Sequence, residues 1–136
     1  FAEWAGTSCQ ALKNKFVSCG YRQNIYQSGY TYKNRIIGHG LDNDASVFTF
    51  GTIFTSPENN FWQVTGRFGD LNKDGIDYYF HSVAINPEKI RSIDIQHNWH
   101  SSIGLFQIGF GLESREKVLS GETSTDSRGF VSWLSK

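Results

Sequence analysis

Three groupings of side chains in this sequence have types and spacings that chemistry could use. Asp70-Leu71-Asn72-Lys73-Asp74-Gly75 offers oxygen ligands at alternate positions and a glycine for a sharp turn, the first half of a calcium loop. Where such a loop requires a bidentate glutamate this chain has His81, a nitrogen ligand poorly matched to a hard cation. A tight Asp-Gly hairpin turn is therefore the expected role, and no metal site is expected. His97 and His100 lie three apart, and His81-Ser82 and His100-Ser101 are adjacent pairs. Strand neighbours point to opposite faces, so adjacency in sequence does not bring a serine to a histidine base. An outer-membrane acyl hydrolase stays open as an alternative, but no carboxylate orienter and no oxyanion donor can be located. The third grouping is Arg67, Asp94, Gln96, Asn98 and Gln107, polar residues that alternate with aromatic and aliphatic ones. Hydrogen-bonding side chains beside flat apolar surfaces suit carbohydrate, and a plain polar lining explains them equally well. No phosphate-binding glycine loop, carboxylate pair or metal-ligand cluster is present in the sequence, so neither a cofactor nor an enzymatic reaction is expected.

Cys9 and Cys19, with Lys13, Asn14 and Lys15 between them, suit a disulfide that closes a loop at the top of a hairpin. Such a bridge contributes roughly 2–4 kcal/mol and implies an oxidising compartment. Two free structural thiols are the alternative.

Positioning these groups requires strands. In the stretch 89–112, Ser92, Asp94, Gln96 and Asn98 alternate with Ile93, Ile95, His97 and Trp99. After His100-Ser101-Ser102 the alternation resumes, with Phe106, Ile108, Phe110 and Leu112 set against Leu105, Gln107, Gly109 and Gly111. A period of two with a short polar break predicts a hairpin. The same reading gives strands over 1–6, 21–32, 45–55, 61–68, 77–84, 89–100, 103–113 and 129–134. It gives a cysteine loop to residue 20, an irregular polar connection over 33–44, turns at 56–60, 70–75 and 85–88, and a hydrophilic loop over 115–128. The fold class is all-β, an antiparallel meander of about eight strands.

The 136 residues include 11 Phe, 6 Tyr, 4 Trp and 14 Gly, with 2 Pro and no Met, a composition that favours hairpin-rich β structure. The formal net charge of zero leaves no electrostatic footprint for nucleic acid. No run approaches the roughly 18 apolar residues of a membrane helix, so insertion in a bilayer would be by strands. One face of the predicted sheet is apolar and the other polar. That pattern fits a soluble sheet with one wet face, or a membrane barrel with lipid outside and a polar lumen. Aromatic residues near strand ends (Trp4, Tyr32, Phe61, Trp62, Phe68, Trp99, Trp133) favour the barrel, as interfacial girdles. The strand-like opening, without an initiator Met or a signal segment, suggests a piece of a longer protein.

The run Ser28-Gly29-Tyr30-Thr31-Tyr32-Lys33-Asn34-Arg35-Ile36-Ile37-Gly38-His39, followed by Asp42-Asn43-Asp44, resembles the capsule assembly Wzi family. Ala2-Glu3-Trp4-Ala5-Gly6 and the Leu71-Asn72-Lys73-Asp74-Gly75 turn agree with its C-terminal half. The resemblance implies that residues 1–136 are the C-terminal portion of a single barrel domain in the bacterial outer membrane. It implies a non-enzymatic role that binds or anchors capsular or exopolysaccharide, with outer-membrane lipid as the other partner and no nucleic acid. Arg67, Asp94, Gln96, Asn98 and Gln107 would then line the lumen, and Arg35, His39, Asp42 and Asp44 would sit near its mouth. A secreted carbohydrate-binding β domain and the acyl hydrolase are the alternatives. Two features depart from the family pattern: the chain stops at Ser135-Lys136 and not at an aromatic residue, and the cysteine pair is not part of it. With the last strand running to the periplasm, the 115–128 and cysteine loops lie outside. The 70–75 turn, and also the long 33–44 connection, lie on the periplasmic side.

Overall fold

The computed structural model describes residues 1–7, 31–32, 35–36, 40–41, 44–73, 75 and 83–135. Six strands form one antiparallel sheet: β1 (Ala2–Gly6), β4 (Ser46–Thr55), β5 (Phe61–Leu71), β6 (Glu88–Ser101), β7 (Gly104–Lys117) and β8 (Thr123–Ser135). A separate short pair, β2 (Thr31–Tyr32) and β3 (Arg35–Ile36), lies between β1 and β4 in sequence. The sheet order is β1-β4-β5-β6-β7-β8, a meander, and no helix occurs among the described residues.

The 89–112 hairpin forms as its alternation predicts. β6 and β7 pair along their whole length across the two-residue turn Ser102-Ile103, with Ile93 opposite Leu112, Ile95 opposite Phe110 and Trp99 opposite Phe106. Residues directly opposite share a face, so the register extends one apolar surface over the sheet. It carries Trp4, Phe48 and Phe68 at one level. Val64, Ile95 and Phe110 occupy the middle, and Trp62, His97, Ile108 and Val131 follow. This surface is open: Trp4, Phe50, Trp62, Phe68, Phe110 and Trp133 are all between 48% and 68% exposed. The buried core is small by comparison. Ala45, Val47, Leu71, Ala84 and Ile90, with Leu41 and Val83 against them, cluster on the opposite face, where the residues flanking β4 and β6 fold over the sheet.

Two stretches differ from expectation. Residues 115–128 are not a hydrophilic loop: β7 continues through Lys117, β8 starts at Thr123, and only 118–122 turn the chain. Here the strands carry Ser, Thr and charged residues on both faces, so the apolar alternation that marks a strand disappears while the backbone pairing continues. The turn closes through Gly121 N–H to Lys117 O (2.8 Å) and Lys117 N–H to Glu122 O (2.9 Å). Gly121 adopts φ +69°, which glycine tolerates.

The second difference concerns 70–88. β5 pairs directly with β6, Leu71 opposite Glu88, so no strand over 77–84 intervenes in the sheet. Of that span only Val83 and Ala84 are described, and neither is in a strand. The Asp-Gly signal does make a local turn, with Gly75 N–H bonded to Asn72 O (3.1 Å). Asn72, at φ +49° and 1% exposed, donates its side-chain amide to the carbonyls of Ala84 (3.0 Å) and Ile85 (2.9 Å). Leu71 and Ala84 are buried together in the core.

Counting six strands instead of eight also moves the connections. The chain leaves and rejoins the sheet at one end between β1 and β4, between β5 and β6 and between β7 and β8, and the short turns 56–60 and 102–103 lie at the other. The end of β5 therefore lies at the same end of the sheet as Gly6 and Ser46, between which the cysteines and 33–44 fall in sequence, and not at the short-turn end.

Candidate functional site: the polar face

The register that makes one face apolar stacks polar side chains on the other. Thr65, Asp94, Gly111 and Arg128 form one row across β5–β8, and Arg67, Ser92, Glu113 and Asp126 form the next. Asp94 joins the rows. Its Oδ2 lies 3.3 Å from Arg67 Nη1, and its Oδ1 accepts from Arg128 Nη2 (2.7 Å) and Nε (3.1 Å). Arg128 Nη1 lies 3.8 Å from Glu113, which accepts from Arg115 Nε at 2.8 Å. Arg115 in turn lies 3.5 Å from Glu88 and donates to Val83 O at 2.9 Å. The charges alternate in sign from β5 to the connection that covers the small core. Single exposed pairs contribute little, but bidentate and networked ones hold geometry better.

Arg128 reaches Asp94 because the residue between them on β7 is glycine. A Cβ at Gly111 would collide with Asp94 Oδ1 and lie 2.9 Å from Arg128 Nε. Gly109, one row along, is covered by the Phe130 ring, where a Cβ would collide with its edge. Phe130 thus lies against the sheet at Gly109, beside the ion pairs, and is 48% exposed. Gln63 donates to Thr65 (3.5 Å), Gln96 to Asn98 (3.0 Å), and Ser132 to Gln107 (3.2 Å). Two hollows of about 270 and 340 Å³ open on this face. Gln63, Thr65 and Arg67 form their common wall, and Phe130 and Arg128 border the first. The first combines two half-exposed guanidiniums, a carboxylate, two primary amides and an aromatic ring. Such a set can bond a hydroxyl-rich ligand and stack against it.

Of the sequence-predicted residues, Arg67, Asp94, Gln96, Asn98 and Gln107 all lie on this face, and Arg67 and Asp94 are in direct contact. Asp44 does not join them. It precedes β4 at the long-connection end with φ +53°, and its carbonyl accepts from Lys73 N–H at 3.0 Å. The backbone of Arg35 pairs with Tyr32 in the short β2–β3 ladder. His39, Asp42 and the proposed Cys9–Cys19 bridge lie outside the described residues. Sequence reading missed Glu88, Glu113, Arg115, Arg128 and Phe130. Their signal was parity: 113 and 115 on β7, and 126 and 128 on β8, carry charge on the same side of their strands.

Of the histidines, His97 lies on the apolar face, stacked between Trp62 (4.1 Å) and Trp99 (5.3 Å), with Nδ1 3.1 Å from Phe61 O. His100 and Ser101 are successive residues of β6 and so project from opposite faces. Among the described residues no group of three or more His, Cys, Asp or Glu is arranged to hold a metal ion. At the tip of the β7–β8 hairpin, Lys117 Nζ bonds Glu122 at 2.7 Å. That hydrogen bond, with the opposite charge, lowers the Glu122 carboxyl below its usual range and raises the Lys117 ammonium above its own.

The fold and site define an amphipathic β meander, aromatic and open on one side, polar and cross-linked by ion pairs on the other. The family profile described as capsule assembly protein Wzi matches residues 1–127, and the chain belongs to this family. Neither the curated proteins nor the solved structures contain a match to it.

Proposed function

We propose that this chain is part of an outer-membrane β-barrel that holds capsular or exopolysaccharide at the cell surface during capsule assembly, without performing a reaction on it. The observation that carries the membrane part is the open apolar face. A contiguous surface of this kind, on a sheet whose buried core counts five residues among those described, has to be covered by something apolar. Its aromatic residues gather at both edges. Trp4, Phe48 and Phe68 lie toward the long connections, and Trp62, Trp99, Phe106 and Trp133 form a row of stacked rings with His97 toward the short turns. β6 crosses this band between Arg91 and Trp99, about nine residues, close to the 9–11 that a tilted membrane strand uses. Short turns at one end and long connections at the other follow the same pattern.

The polar face would then be the lumen side. Family membership supports a role in capsule assembly, and the two hollows bordered by amides, ion pairs and Phe130 support polysaccharide as the ligand. The test uses the full-length protein in detergent, titrated with capsular oligosaccharide by calorimetry, beside a deletion strain scored for cell-associated capsule. Saturable binding and loss of retained capsule are expected. No binding together with intact capsule retention would refute the polysaccharide role, and a folded monomer stable in buffer without detergent would refute the membrane part.

A further inference from the structure

On the strands of the apolar face, Lys89 and Arg91 are the only Lys or Arg side chains among the described residues; Arg91 lies in the aromatic row nearest the long connections, opposite Phe68, and Lys89 one level beyond it. The turns at the opposite end, 56–60 and 102–103, hold one charged residue, Glu58. Arg91 also differs from the other arginines whose side chains are described. Arg67, Arg115 and Arg128 each pair with a carboxylate, and Arg91 is exposed with no ion pair among the described residues. Its cross-strand neighbours are Phe68 on one side and Ser114 on the other, with Thr125 next in the row, so no charged residue lies in register with it. Lys89, one level further out, lies in register between Asp70 and Glu116 and is locally offset by them. Directly below Arg91 come Ile93 and Leu112, both exposed and apolar.

We infer that Arg91, with Lys89 behind it, binds a phosphate group of an outer-leaflet glycolipid, the phosphorylated lipid A part of lipopolysaccharide. The inference rests on the membrane reading above. A guanidinium with unused donors matches a phosphate's oxygens in pairs, Ser114 and Thr125 add hydroxyl donors in the same row, and the acyl chains lie along Ile93 and Leu112. The charge asymmetry selects the glycolipid over a zwitterionic phospholipid. Phosphates without a compensating ammonium favour the end that carries cations, and the cation-free turns face the other leaflet. The pair therefore also fixes which end of the sheet faces outward.

The experiment is native mass spectrometry of the full-length protein in mixed micelles with bisphosphorylated lipid A, dephosphorylated lipid A or phosphatidylglycerol. The wild type is expected to hold bisphosphorylated lipid A preferentially. Arg91→Gln should weaken that binding roughly five-fold, the scale for one cation near an anionic lipid surface, Lys89→Gln by less, and Arg91→Lys only slightly. Removing the phosphates should weaken wild-type binding to the level of Arg91→Gln. Equal binding by wild type and Arg91→Gln, or of phosphorylated and dephosphorylated lipid A, would overturn the inference while leaving the barrel reading intact. Equal binding of phosphatidylglycerol would overturn the choice of glycolipid. Failure of the wild type to enter a bilayer would overturn both. Heat-dependent gel mobility, with the Arg91→Lys protein as reference, separates lost binding from lost folding.

Discussion

Arg128 on β8 holds Asp94 on β6 across an intervening strand, with Nη2 2.7 Å and Nε 3.1 Å from the same carboxylate oxygen. Two residues two strands apart in a sheet meet in this way only when the position between them has no side chain, and that position is Gly111. The contact ties β8, whose side chains are exposed along its whole length, to the middle of the sheet.

Gly111→Ala should break it. The new Cβ occupies the space of Asp94 Oδ1 and crowds Arg128 Nε, so both side chains must turn away and leave Arg67 as the remaining cation on Asp94. The expected loss of stability is about 1–3 kcal/mol, the scale of a disrupted charged hydrogen-bond network. Urea unfolding of the detergent-solubilised or bilayer-inserted protein measures it, and an unchanged midpoint would show that the bridge contributes nothing.

Phe130 lies over Gly109 with half its surface open beside the first hollow, the position a stacking platform for a sugar ring would occupy. Phe130→Ala is expected to weaken oligosaccharide binding by roughly ten-fold, about 1.4 kcal/mol, within the range of aromatic contacts. Phe130→Tyr should retain it. Calorimetric titration of both variants decides this, and wild-type affinity in Phe130→Ala would place the ligand elsewhere.

What could be read in the sequence followed from the strength of the period-two signal. Between 92 and 112 apolar residues alternate with polar ones or glycine on both sides of the break at 100–102, so the hairpin and its two faces were legible, as were Arg67, Asp94 and Gln96 on one side. Beyond Glu113 both faces are polar. Ser114, Glu116, Thr123 and Thr125 show no contrast with Arg115, Lys117 and Ser124, so no apolar face marks the strands there although the backbone pairing continues. Arg128, the strongest partner of Asp94, was hidden in that stretch. The 72–87 connection misled for the opposite reason. Its Asp-Gly turn is real, but Leu71 pairs directly with Glu88 of β6 and is buried in one cluster with Ala84, a long-range arrangement that no local pattern encodes.

Ile95 marks the middle of the apolar band, between Val64 and Phe110. Ile95→Arg should cost about 2–4 kcal/mol if that face meets the bilayer core, enough to impair assembly into the membrane. Ser132→Arg, on the exposed polar face, should cost far less. Comparing the membrane-assembled fraction of the two variants tests the assignment of faces, and equal tolerance of both would contradict it.

The Lys117–Glu122 bridge predicts a pH dependence confined to the hairpin tip. Glu122 is lowered by Lys117, so its contribution is present above the ordinary carboxyl value near 4.3 and is lost as pH falls through the lowered value. Lys117 is raised by Glu122, so its contribution is present below the ordinary ammonium value near 10.4 and is lost as pH rises through the raised one. The tip should be unchanged from about pH 5 to 10 and exchange amide hydrogens faster below about pH 4. For amides of 118–122, corrected for intrinsic exchange, Glu122→Gln should abolish the acid step. A step that persists in that variant would assign it to another group.

Orientation can be read directly on living cells. The 118–122 tip lies at the same end of the sheet as Gly6, Ser46, Leu71 and Glu88, whereas 56–60 and 102–103 lie at the other. A short epitope inserted at Gly121, an exposed turn position with open space around it, should be detected by antibody on intact cells. The same epitope at Asn59, in the turn between β4 and β5, should become reactive only after the outer membrane is permeabilised. Strand pairing makes this a coupled test. Moving along a meander reverses direction at every strand, so an odd number of additional strands between β5 and β8 would place these two tips on the same side. Surface reactivity of both insertions would therefore contradict the six-strand count as well as the orientation. Reactivity of the Asn59 insertion alone would keep the count and invert the sheet, removing Arg91 from the outer leaflet.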